Sequence, residues 1–107
     1  MVRIDIKPLS VNDAYRGRRF ATAELKQYKK DLGVLLPRII VPDGKLSVCY
    51  HFGVSSKNSD GDNCVKALQD CIAEQYGFND KRIYEWYIKK IDVEKGKEFV
   101  EFELSTF

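Results

Sequence analysis

Apolar and polar residues alternate from the start of the chain. In VRIDIK, Val2, Ile4 and Ile6 share one side and Arg3, Asp5 and Lys7 the other, the pattern of a half-buried strand. Pro8 ends it, and LSVNDAYRGRRFA reads as a loop of turn residues and bulky basic groups. A helix is predicted from about Thr22, with Glu24 in its first turn, where the helix dipole favours a negative charge. Its apolar stripe is Leu25, Tyr28, Leu32, Leu35 and Leu36, with Lys26, Lys29 and Lys30 off the stripe. Pro37 and Pro42 close that segment. KLSVCYHFG alternates again, with Leu46, Val48, Tyr50 and Phe52 on one face. A Ser/Asn/Asp/Gly loop over 55–61 leads into a second helix over about 63–76, whose buried stripe is Val65, Leu68, Ile72 and Tyr76 and whose stop is Gly77. RIYEWYIKKIDV is a long strand with apolar or aromatic groups on both faces, which predicts a central strand or one covered by a partner. EKGK turns the chain into EFVEFEL, with Val100, Phe102 and Leu104 inward and Glu101 and Glu103 outward. The order strand, helix, strand, helix, strand, strand predicts an α+β fold: a small mixed sheet of about four strands with two main helices packed on it.

Length confines this to one domain, 1–107, which can bury roughly 60 to 70% of its unfolded surface and hold a core unaided. With 44% hydrophobic and 32% charged residues the chain reads as globular, and no apolar run approaches the roughly 20 residues of a membrane span. The alternating N-terminus is no secretory signal, so a cytoplasmic protein is expected, without membrane partners or an organic cofactor. Cys49, Cys64 and Cys71 are odd in number and lack CxxC spacing, which suggests neither a disulfide framework nor a zinc knuckle and favours core thiols over reactive ones. His51 is the single histidine and lies in a strand-like run, so neither a triad nor a multi-histidine metal site is expected. The net charge of +2 conceals a split: residues 1–40 carry nine Lys/Arg against four Asp/Glu, and residues 41–107 nine against twelve. A basic face that meets an anion and a separate acidic locus are expected.

The acidic locus is KNSDGDNCVKALQD, at 57–70. In an extended segment, residues two apart project to the same side about 6 to 7 Å from each other, so Asp60 and Asp62 point at one spot. Lys66 follows Asp62 by four positions, one helical turn, and the free N–H groups of the first turn add partial positive charge. Asp80, after the YGFN link, heads the long strand and comes within reach if that strand runs beside the helix start. Three convergent carboxylates without histidine or thiolate make an all-oxygen site, which suits Mg²⁺ or Mn²⁺. An aspartate before a helix is more often an N-cap, but capping needs one acid and no lysine a turn later. An EF-hand fits Asn58, Asp60 and Asp62 and then fails, because Asn63 stands in the glycine position and Gln69 in the glutamate position. A sugar-nucleotide transferase DxD motif would need a larger domain.

The longer spacing Asp60-x-Asp62-Asn63-x-x-Lys66-x-x-x-Asp70, with Asp80 opening a strand and PLSVND at 8–13 after the first strand, resembles the RusA family of Holliday junction resolvases. These are small endodeoxyribonucleases of bacteria and their phages. The resemblance covers about residues 2 to 104. It implies a homodimer that binds four-way DNA junctions and makes paired cuts by hydrolysing phosphodiesters with Mg²⁺ or Mn²⁺. It also implies that Asp60, Asp62 and Asp80 hold the metal, that Lys66 is the catalytic lysine, and that Asn63 and Asp70 support the site. Asn79 departs from the second acid common in the family, and Ser59 from its usual proline or basic residue.

Phosphodiester hydrolysis needs an activated water and neutralisation of charge on the phosphorane, which divalent ions and a positive point charge supply. DNA affinity is expected from Arg16, Arg18, Arg19, Lys26, Lys29 and Lys30, each able to neutralise a phosphate, with steep salt dependence. The two-faced strand with Tyr84, Trp86, Tyr87 and Ile88 is either a dimer surface or buried within one subunit. Two rivals remain: a DNA-binding module without chemistry, which would bind branched or duplex DNA but not cut it, and a regulatory interaction protein of antitoxin type, which would not need the acids and Lys66 to converge.

Overall fold

A computed structural model describes residues 1–16, 20–56 and 59–107, without the side chains of Arg16 and Phe20. The expectations placed on Arg16, Arg18, Arg19 and Asn58 as side chains therefore fall outside the described residues.

The alternating segments form one four-stranded mixed sheet. Its strands are β1 (Val2–Ile4), β4 (Leu46–Val54), β5 (Ile83–Asp92) and β6 (Phe99–Thr106), in the order β1-β6-β4-β5. β6 is antiparallel to β1 and to β4, whereas β4 and β5 run parallel. Parallel neighbours need a crossover, and α3 (Val65–Tyr76) supplies it. The other main helix is α2 (Ala23–Leu35). Both helices and the sheet's alternate apolar positions share one core: Leu25, Tyr28 and Leu32 from α2, Leu68 and Ile72 from α3, and Leu46, Val48, Tyr50, Phe52, Val100 and Phe102 from the sheet. The fold is the α+β arrangement expected, with two additions. PLSVND and its continuation contain a single helical turn, α1 (Val11–Ala14), and a two-stranded ribbon, β2 (Tyr15–Arg16) with β3 (Phe20–Ala21), where the sequence reads as a loop.

Thr22 shows how these short pieces are fixed. As N-cap of α2 its hydroxyl accepts from the Leu25 N–H at 3.2 Å and donates to the Asp13 carbonyl at 2.6 Å, tying α1 to α2. Gly77 ends α3 at φ 69°, the left-handed conformation that a Cβ disfavours.

Two expectations change. Leu35 is 50% exposed: the helix ends there, the chain turns out as extended backbone at Leu36, and Leu36 packs instead. β5 is an edge strand, not a central one, because among the described residues β4 is its single neighbour in the sheet. Its apolar residues on both faces are Tyr84, Trp86, Tyr87 and Ile88, all substantially exposed.

Candidate active site

The acidic segment follows β4 and enters α3 through a tight 3-10 turn, Gly61–Cys64. Asp60 occupies the N-cap position of that turn, yet its side chain makes no capping hydrogen bond. The Asn63 side chain donates to Asp60 Oδ2 at 3.3 Å instead, and the Cys64 thiol donates to the Asp60 carbonyl at 3.8 Å. Asp62 lies inside the turn and is exposed. Neither carboxylate is thus spent as a helix cap. Asp60 and Asn63 line a hollow of about 310 Å³ together with Pro8, Ser10 and Asn12. Ser10 holds that wall by capping α1, accepting from the Asp13 N–H at 3.3 Å.

One turn into α3, Lys66 donates to Asp70 Oδ2 at 3.1 Å, a pair four residues apart on the helix surface. The same oxygen accepts from the Tyr15 hydroxyl at 2.8 Å. The Lys66 ammonium also stands 5.4 Å from the Tyr15 ring centroid, within cation–π range. Burial first, and then the hydrogen bond and charge of Asp70, push the Tyr15 phenol well above its ordinary pKa. Tyr15 therefore stays a proton donor and Asp70 its acceptor. Sequence reading missed Tyr15; its signal was an aromatic placed directly before the arginine run.

Asp70 also borders a second, broader hollow of about 580 Å³ that it shares with Ala73, Gly77, Phe78, Asn79 and Asp80. Asp80 opens a second 3-10 turn, Asp80–Arg82, whose cap is Asn79: its side chain accepts from the Lys81 N–H at 2.9 Å. This capping bond occupies Asn79, and the Asp80 carboxylate is exposed. Tyr50 lies beneath: burial, then the charges of Asp70 and Asp80, hold its phenol strongly protonated. Its hydroxyl donates to Gln69 Oε1 at 3.0 Å, as does the Trp86 indole at 3.0 Å.

The structure thus brings together Asp60 with Asn63, Lys66 with Asp70 and Tyr15, and Asp70 with Asp80. Asp60, Asp62 and Asp80 do not form one gathered set: among the described residues no three His, Cys, Asp or Glu side chains converge as a ready metal cluster. Their donor chemistry, exposed carboxylate oxygen, still suits a hard cation. On the basic side, Lys26 and Lys30 are exposed, while Lys29 bridges α2 to α3 through Glu74 at 3.2 Å. No helix among the described residues is long and apolar enough to cross a membrane. Searches against protein-family models and curated proteins find no match to the chain.

Proposed function

We propose that the chain is a metal-dependent endodeoxyribonuclease that acts on branched DNA, four-way junctions above all, as a homodimer. The observation that carries this reading is the meeting of two segments some fifty residues apart: Pro8, Ser10 and Asn12 line one hollow with Asp60 and Asn63. These are the two stretches whose spacing resembles the resolvase family, and α3 continues from them to the Lys66–Asp70 pair.

Each side chain has a part in that chemistry. Asn63 fixes one oxygen of Asp60 by donating to it. Asp70, itself held by Tyr15, keeps the Lys66 ammonium at the helix surface, where it meets a phosphate oxygen as charge builds on the phosphorus. Asp60, Asp62 and Asp80 would hold Mg²⁺ or Mn²⁺, which when bound neutralises phosphate charge and acidifies water. Lys26 and Lys30 offer phosphate contacts, and Lys29 joins them by exchanging its exposed glutamate partner for a phosphate. The exposed edge of β5, with Trp86 at 45% exposure, offers the shared surface of a two-fold dimer that presents two sites to two opposed strands.

A labelled synthetic junction incubated with Mg²⁺, and with EDTA as control, tests the reading: paired cuts are expected, and Asp62→Asn should abolish them while sparing most of the binding. Cutting by Asp62→Asn at the parental rate would refute it. A second reading, supported by the exposed Lys26 and Lys30 on α2, is a binder of branched or duplex DNA that does not cut. The same assay separates the two, since that protein shifts the junction on a gel and leaves both strands intact.

A further inference from the structure

The helices lie on one face of the sheet; the other carries the alternate residues of β4 and β6. Among these, three side chains form a chain of contacts independent of the acidic locus. Cys49 Sγ lies 3.5 Å from His51 Nε2, and His51 Nδ1 lies 3.1 Å from Glu101 Oε1. Glu101 is the register partner of His51 across the β4–β6 ladder, and Glu103 is the register partner of Cys49. Glu103 does not converge with Cys49 and His51 as it stands, since no three such side chains form a ready cluster among the described residues. Directly opposite side chains lie about 5 Å apart at Cβ, so a rotamer change of this exposed residue would complete the set.

We propose that Cys49 and His51, with Glu103 as third ligand, form a binding site for Zn²⁺ or a similar borderline-soft divalent cation. The separation of the two donors fits. With Zn–S of about 2.3 Å and Zn–N of about 2.0 Å, a tetrahedral angle puts sulfur and nitrogen about 3.5 Å apart. The 3.5 Å between the two donors, both on β4, matches that length, with the ion off the line joining them. Glu101 sits on the far side of the ring: in the tautomer whose Nδ1–H donates to its carboxylate, the Nε2 lone pair faces the sulfur. One carboxylate per ring is the usual arrangement behind a metal-bound histidine.

The alternative, a reactive thiol, is disfavoured by its surroundings. Burial, then Glu103 and Glu101, push the Cys49 thiol above its ordinary pKa, so few thiolates exist to attack anything. The same negative field attracts a cation. On binding, the sulfur takes the metal and its proton passes to solvent, while His51 ligates as the neutral imidazole. Two cations oppose this field among the described residues: Lys89, the register partner of His51 on β5, and Arg3, the register partner of Glu101 on β1, which pairs with Asp5 at 3.3 Å and stacks on the Phe99 ring. Sulfur and imidazole select against Mg²⁺, so this site and the oxygen-rich locus at the start of α3 take different ions. Cys64 and Cys71 are buried on the helix side and serve the core, as the sequence suggests.

Titration of the whole chain with Co²⁺, a spectroscopic stand-in for Zn²⁺, tests this under reducing conditions. The expected result is a thiolate-to-cobalt charge-transfer band in the near ultraviolet that saturates at one ion per chain and bleaches when Zn²⁺ is added. Cys49→Ser and His51→Ala should lose the band; Cys64→Ser, Cys71→Ser and Asp62→Asn should keep it. Glu101→Gln should weaken cobalt binding by about tenfold or more, the scale of a lost outer-sphere partner. Circular dichroism checks that each variant folds, and Cys49→Ser, on the helix-free face, should. A folded chain that gives no band, or a band that survives Cys49→Ser, overturns the proposal. Loss of junction cutting bears on the nuclease reading alone, because that activity rests on different residues.

Discussion

Asp70→Asn isolates the charge that joins Tyr15 to Lys66. The substitution keeps the shape of the side chain and leaves one oxygen to accept, but it removes the negative charge. A hydrogen bond to a charged group contributes about 1.5–3 kcal/mol and a neutral one about 0.5–1.5, so the Tyr15 bond should weaken by about 1 kcal/mol. The Lys66 pair adds little, because Lys66 is 58% exposed and Asp70 31%. An i,i+4 pair of that kind contributes about 0.3–0.5 kcal/mol. The total, about 1.5 kcal/mol, should lower the thermal midpoint of a domain this size by roughly 6 °C. A double-mutant cycle with Tyr15→Phe by urea unfolding should return a coupling energy of about 1 kcal/mol, since Asp70→Asn weakens the same bond that Tyr15→Phe removes. The Tyr15 phenol should also titrate closer to its ordinary value in Asp70→Asn, seen in the tyrosinate absorbance. Junction cutting should slow several-fold as Lys66 loses its anchor, with binding little changed. Zero coupling together with an unmoved phenol titration would refute the network.

Three further outcomes are expected. The Tyr28 hydroxyl is buried and finds no hydrogen-bond partner among the described residues, so Tyr28→Phe should stabilise the protein by about 1 kcal/mol; a fall in the urea midpoint would contradict this. A methyl at Gly53 would overlap the Phe99 ring, so Gly53→Ala should cost about 1–3 kcal/mol, partly recovered by Phe99→Leu; an unchanged melting curve would count against the packing described. Tyr15, Tyr28 and Tyr50 all have folded-state pKa values raised above the usual 10.0. The unfolded chain then releases protons first, so stability is fully present below about pH 10 and falls above it, by up to about 1.4 kcal/mol per pH unit for each phenol. Urea midpoints that stay level from pH 9 to 11.5 would exclude that linkage.

Strands β1, β4 and β6 and both main helices are legible in the sequence because one face of each is buried, and burial writes a period of two or 3.6 into the apolar residues. β5 misleads for a physical reason. Apolar groups on both faces look alike whether neighbours cover them or nothing does, and only the strand order, set by contacts distant in sequence, tells the two apart. α1 and the β2–β3 ribbon carry no periodicity; they persist through bonds such as that of Thr22 to the Asp13 carbonyl. At the candidate site, the Lys66–Asp70 pair follows from helical spacing. Tyr15 joins it from 55 residues away, a distance no local pattern encodes.

Asn79 gives its turn a single oxygen for the Lys81 N–H, and an aspartate would offer the same oxygen in the same place. The electrical character of the hollow beside it can therefore be reset without rebuilding any backbone. An Asn79→Asp chain would differ from this one in the ions that hollow attracts, not in shape.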